Sequence, residues 1–452
     1  MRRLFRFLVP FAWVLGALAF PLVAAADHAA RPHTDNVHAL GHSPHPATFF
    51  GEPDGVRHIN SDLAFWGDRI FNGNYNGFRI IKESPGNPKE IVHQGCNGDQ
   101  GDIVVWENIL VRSWNSKKAT PRDCDGETVP AGWEGVHVFD ISDVSDPKLV
   151  GAVELPCGSH TVTLAPDLGN DRVIVYSNNS SGAGCTGGPA NGDFMDVIEV
   201  PLDAPGSASL IHREPLEGPI NPAVTPGCHD VGVILGDVNL ATCASADATN
   251  VFDIGDNALP GGSLENPNFL YTISEPGVDG LRGRWHSAAF TWDGEVIILG
   301  WEPGGGAAPE CEETDPAVTK SAFFYDADTG AKLGQWTLPR PQGAAENCTI
   351  HNYNVVPTRN GRYVLVSGNY QAGTWVTDFT DPASPVTLGW SDPPPLDPPD
   401  LGGAWSSYWY NNFIYESEIT KGLNVFRFSG NETGGAMRLD HLNPQTQEFS
   451  ID

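Results

Sequence analysis

The sequence predicts an all-β fold built from repeated four-stranded antiparallel units, and three observations predict it. First, one unit recurs. Gly135–Pro156 (GVHVFDISDVSDPKLVGAVELP) reads as a strand, an Asp/Ser/Pro turn and a second strand. Gly77–His93 and Gly373–Gly389 repeat it, and Asp196–His212 and Ser321–Leu338 are looser copies. Self-similarity of one supersecondary unit marks a repeat architecture. Second, a hairpin precedes each copy. In Trp285–Gly300 (WHSAAFTWDGEVIILG) two apolar strands flank an Asp-Gly turn, a strong hairpin signal. Equivalent hairpins fall at Ser61–Asn72, Asp102–Trp114, Ser159–Ser177, Cys228–Cys243, Ile350–Ser367 and Ala404–Glu416. Third, the 452 residues include 51 Gly and 37 Pro without a collagen period, as a turn-rich β chain requires.

A hairpin plus a repeat copy gives four strands, the size of one propeller blade. First strands start near residues 60, 100, 160, 229, 286, 351 and 405, so a seven-bladed β-propeller is expected over residues 48–428. The last unit has three strands of its own, within Ala404–Glu416 and at Leu423–Phe428. Thr48–Glu52 is expected to supply the fourth, closing the ring and removing open edges. Residues 27–47 read as a polar, His-rich leader and residues 429–452 as a polar, peripheral tail. Pro393–Pro399 reads as a rigid loop in the sixth blade.

Charge and the N-terminus set the compartment. With 26 Lys+Arg against 56 Asp+Glu the net charge is −30, which would repel nucleic acid. Arg2, Arg3 and Arg6, the apolar run Phe7–Val23 and Ala24-Ala25-Ala26 make residues 1–26 a secretory signal peptide. No second apolar segment of about 20 residues follows, so no transmembrane segment is expected in the mature chain. The expected location is extracellular or in the cell envelope, as a monomer.

Export makes the eight cysteines a disulfide set. Cys96, Cys157, Cys228 and Cys348 fall just before first strands. Cys124, Cys185 and Cys311 follow second strands, and Cys243 ends one. In an up-and-down blade both kinds of position emerge on one face. The phase predicts Cys96–Cys124, Cys157–Cys185, Cys228–Cys243 and Cys311–Cys348; bridges between adjacent blades, such as Cys96 to Cys157, are the rival.

Four histidines share a phase. His160, His229, His286 and His351 each open the first strand of their unit, in four consecutive units. In a propeller the first strand lines the central channel, which would set all four rings at one mouth. Imidazole is the commonest ligand for Cu, Fe and Zn at neutral pH, so one such divalent ion is the candidate cofactor. Asp102, Asp230 and Glu302 are the candidates to orient the rings. Against this stands inheritance by duplication, in which each ring bonds inside its own blade. An oxygen-ligand calcium cluster at Asp247, Asn250, Asp253 and Asp256 is a weaker candidate. Trp405, Tyr408 and Trp409 are candidates to line the mouth, against a role in core packing.

The turns of the repeat copies, DISDVSDP and DFTDPASP, resemble those of the LVIVD-repeat family of exported β-propellers. That resemblance implies a secreted scaffold that binds an extracellular protein, a glycan or the envelope, and this is the first functional expectation. The four-histidine arrangement looks like that of carotenoid-cleaving dioxygenases, which hold iron with four axial histidines. Trp285–Ile298 is locally similar to hairpins of selenium-binding proteins, including methanethiol oxidase. These resemblances imply the alternative, a metal-dependent oxidoreductase or hydrolase at the channel mouth.

Overall fold

A computed structural model describes residues 31–45, 58–98, 100–115, 117–155, 157–179, 194–217, 227–245, 248–255, 261–278, 281, 283–303 and 306–451. The expected signal segment, Thr48–Glu52, Cys185, Asp247 and Asp256 lie outside them. Among the described residues the helical elements are 3-10 turns of three or four residues, and none is long and apolar enough to cross a membrane.

The chain is all-β and propeller-like. Asn60–Trp66, Ile103–Trp106, Thr161–Asp167, Cys228–Ile234, Gly283–Phe290 and Asn352–Val355 each begin a four-stranded antiparallel run. Ala404–Tyr410 begins another, whose fourth strand comes from the N-terminal side. Neighbouring first strands lie against one another in series, and Ala404–Tyr410 lies against Asn60–Trp66. The burial pattern follows from that stacking. Ile109–Trp114 and Leu240–Ser245 are buried at every position, covered on both faces by the adjoining sheets. The outer strands Lys148–Glu154 and Ser209–Pro215 are largely exposed or half-buried and carry charges to water. Aromatic side chains fill the space between units, as where Phe65 stacks on Tyr410 at 4.7 Å.

Three of the four predicted disulfides are present among the described residues: Cys96–Cys124, Cys228–Cys243 and Cys311–Cys348. Cys157 is disulfide-bonded, while its expected partner Cys185 lies outside the described residues.

Both ends of the chain depart from expectation. The strand completing the last unit is Val37–Pro44, which pairs antiparallel with Gly422–Phe428 from Val37 opposite Phe428 to Pro44 opposite Gly422. Residues in the expected leader are therefore sheet. His38 and His42 hydrogen-bond Ser429 and Asn424. Arg31 reaches the buried Glu416 carboxylate at 3.1 Å. The segment reads as polar because one of its faces meets solvent and only the backbone ladder needs a partner. The C-terminal stretch is likewise built in rather than peripheral. His441–Leu442 pairs with Asn60–Trp66, and Thr446–Gln447 pairs parallel with Cys228–Ile234. Between them the Asn443 amide accepts from Val105 N–H at 2.8 Å and donates to Val105 C=O at 2.9 Å. Gln445 donates to Asp62, Thr446 to Leu164 C=O, and Ile451 N–H to Trp292 C=O. Apart from Asp62, which lies near the start of Asn60–Trp66, these partners lie in the middle or toward the C-terminal ends of the first strands. The segment therefore packs mainly on the side of the first strands away from the histidines.

Candidate metal centre

The four histidines do come together. Successive ring centroids are 4.6 Å (His160 to His229), 3.9 Å (His229 to His286) and 4.2 Å (His286 to His351) apart. His229, His286 and His351 are 3%, 4% and 1% exposed, whereas His160 keeps more surface on the cavity. That cavity measures about 160 Å³ and is lined by all four rings with Glu302, Arg284, Tyr75, Gln100, Tyr370, Leu401 and Trp405.

The bonds at Nδ1 fix which way the rings present their lone pairs. His229 Nδ1 lies 3.1 Å from the His286 carbonyl oxygen, and His351 Nδ1 lies 2.5 Å from that of Trp405. A carbonyl only accepts, so both Nδ1 atoms carry the proton. His286 Nδ1 lies 2.6 Å from Ser287 Oγ, whose own proton goes to the His351 carbonyl. His286 is therefore also protonated at Nδ1. Three neutral rings thus turn an Nε2 lone pair inward, and none of the three Nε2 atoms has a hydrogen bond among the described residues. Two of these anchors cross from one unit to the next, and the third stays on its own strand. Own-blade bonding by duplication therefore does not describe the set.

Burial holds the rings neutral. It lowers His160 and His351 to about 3, and His229 and His286 well below the ordinary imidazole value, with neighbouring rings and Arg284 adding to the effect at His160, His229 and His286. Neutral imidazole is the form that binds metal.

Glu302 sits closer to the centre than an orienting group would. It ends the second strand of its unit, opposite Arg284 in register. Its Oε1 lies 3.8 Å from His286 Nε2 and accepts from the Tyr370 hydroxyl at 3.3 Å. Ligand atoms of His229, His286 and Glu302 all lie within 4.8 Å of one another. Two atoms on one ion bound at about 2.1 Å sit up to about 4.2 Å apart, so the His286–Glu302 spacing already fits. His160 and His351 flank this core. Burial pushes Glu302 up to about 7, partly offset by Arg284 and the Tyr370 hydrogen bond. A lone pair facing a buried carboxylate is an arrangement that either a proton on Glu302 or a bound cation relieves.

The other predicted residues lie elsewhere. Asp102 accepts from the backbone N–H groups of Ile103 and Val162, and Asp230 from that of Val231. No bond joins either to the four rings among the described residues. Burial raises both carboxyls, and the neighbouring Asp62 raises them further. Asp253 accepts from Gly255 and Gly262 N–H, holding the loop after its strand, and Asn250 accepts from the distant Glu217 N–H. Trp405 lines the cavity, whereas Tyr408 bonds Asp62 and Trp409 is core. Arg284, Tyr75, Tyr370 and Leu401 were not anticipated. Arg284, two residues before His286, was the one of these the repeat phase could have flagged.

No family model matches the chain, and no curated protein matches its sequence. Solved structures resemble it at low identity. The computationally designed Ika8 protein aligns at 12% identity over 86% of this chain and 99% of its own, with a TM-score of 0.45. The WD40 β-propeller domain of Doa1 aligns at 13% identity over 88% and 99%, with a TM-score of 0.48. A functionally unknown protein from Desulfotomaculum acetoxidans aligns at 8% identity over 73% and 89%, with a TM-score of 0.45.

Proposed function

We propose that this chain is an exported, seven-bladed β-propeller closed by Val37–Pro44, and a metal-dependent enzyme whose centre lies at the disulfide-bearing mouth. The ring reading is supported by the serial packing of first strands, with Ala404–Tyr410 against Asn60–Trp66. Export is supported by the signal-like residues 1–26 and the three disulfides.

The observation that carries the metal reading is the convergence of His229, His286 and Glu302 ligand atoms within 4.8 Å, on a cavity of about 160 Å³. Two neutral imidazoles and one carboxylate are the donor set of non-haem iron(II) oxygenases and also of zinc hydrolases. The net charge of −30 favours cations over the whole molecule. Bound iron or copper would supply oxidation, and zinc a water of lowered pKa. The chain's own residues would hold the donors: Ser287, with the His286 and Trp405 carbonyls, fixes the ring tautomers, and Tyr370 steadies Glu302.

The test is metal content, by mass spectrometry, of untagged mature protein purified through its own export route. About one equivalent of iron, copper or zinc, lost in a His229→Ala/His286→Ala variant that keeps its β circular dichroism, supports the reading. Protein that takes up no equivalent even on reconstitution sinks it. The exported scaffold would then stand, with an extracellular partner to be sought.

A further inference from the structure

The four rings are not equivalent, and the odd one is His160. Its Nδ1 lies 2.6 Å from Asn115 Nδ2, an amide nitrogen that only donates. With the Asn115 amide placed this way round, His160 Nδ1 accepts and its proton sits on Nε2. The other three anchors are acceptors and leave lone pairs on Nε2. His160 is also the ring with the most surface on the cavity, and it lies outside the three-residue set whose ligand atoms converge. Arg284 lines the same cavity.

Resting on the metal reading above, we propose that His160 is not a ligand but a hydrogen-bond donor, set by Asn115, that receives a small anion bound at the metal beside Arg284. A lone pair at this position would repel such an anion; an N–H attracts it. A hydrogen bond to a charged group contributes about tenfold or more in affinity. The cavity of about 160 Å³ has room for a small anion such as azide or a short carboxylate.

The probe is azide, titrated into copper(II)-loaded protein and followed by its charge-transfer absorbance, after copper stoichiometry has been measured. Asn115→Asp replaces the donor with a carboxylate, which only accepts and so moves the His160 proton to Nδ1. His160→Leu removes the donor, whereas His160→Gln can accept from Asn115 through Oε1 and donate from Nε2. The expected result is one copper in every variant, azide affinity lowered about tenfold in Asn115→Asp and His160→Leu, and affinity within about threefold of the parent in His160→Gln. Copper lost on His160→Leu, or nitrogen hyperfine coupling from His160 in the parent's copper resonance, would make His160 a ligand and overturn the proposal. Azide affinity unchanged in both donor-removing variants, with copper retained, would also overturn it. Failure of the parent to bind copper would instead overturn the metal reading itself, together with this inference.

Discussion

The two ends of the first strands in this propeller-like chain solve opposite problems. At the His end, side chains leave lone pairs and a carboxylate turned toward a cavity, and every Nδ1 is tied down behind them. At the other end, the C-terminal segment carries its polar atoms to the inner strands and satisfies them there. Asn443 takes both backbone groups of Val105, and Gln445 joins Asp62 and Tyr408. One end keeps coordinating capacity in reserve; the other uses it up. A substitution at the first should therefore change ligand binding, and one at the second should change stability.

The largest separation between the ends is expected from a pair of variants. His229→Ala should abolish metal uptake, by more than about a hundredfold in affinity, because it removes a ligand outright. Its melting temperature should move little in the metal-free form. Asn443→Ala should leave metal affinity alone and cost about 3 kcal/mol, since it orphans a buried N–H and a buried C=O at once. Denaturant melts and metal titrations on both proteins check this. An Asn443→Ala variant that loses metal would show that the two ends are coupled.

How much of this was legible in the sequence depends on whether a feature repeats. The four histidines and three disulfides recur at one phase of the unit, so counting strand starts was enough to bring them together. Glu302 was legible as a nearby residue but not as a candidate ligand, because it comes from the end of a second strand and reaches the centre only through its register with Arg284. Tyr75 and Tyr370 come from loops of unequal length and carry no period. The chain ends were misread for a different reason. Val37–Pro44 has few β-branched residues, and its pairing is supplied by an edge more than 370 residues away. Residues 439–451 form two two-residue strands whose hold is mostly side chain to backbone, a pattern that hydrophobic periodicity does not reveal.

Ser287 offers a subtler way to sharpen the comparison. Its hydroxyl accepts from His286 Nδ1 and donates to the His351 carbonyl, so it sets one ring and steadies the strand carrying another. Ser287→Ala replaces no proposed ligand. It should nevertheless lower metal affinity by about 10- to 100-fold, the usual cost of losing a partner behind a ligand. Competition titration against a chelator of known affinity measures it. An unchanged affinity would mean that packing alone orients His286.

The smallest effect is the pH dependence of metal uptake, and its sign follows from Glu302. Burial holds that carboxyl at about 7 in the metal-free protein, while the four imidazoles are held neutral far below that. Binding must therefore displace one proton from Glu302 below pH 7 and none from the rings until much lower pH. Affinity should fall about tenfold per pH unit from 7 toward 5 and level off above about 8. Glu302→Gln should flatten that slope while weakening binding at pH 8. In the metal-free protein the same group acts in the other direction. Its folded pKa is raised above the ordinary glutamate value of 4.5, so its contribution to stability is present at pH 4.5 and lost as pH rises through 7. Metal and proton therefore compete for one carboxylate. Parent protein whose metal affinity is flat between pH 5 and 8 would remove Glu302 from the ligand set and leave the imidazoles to hold the ion alone.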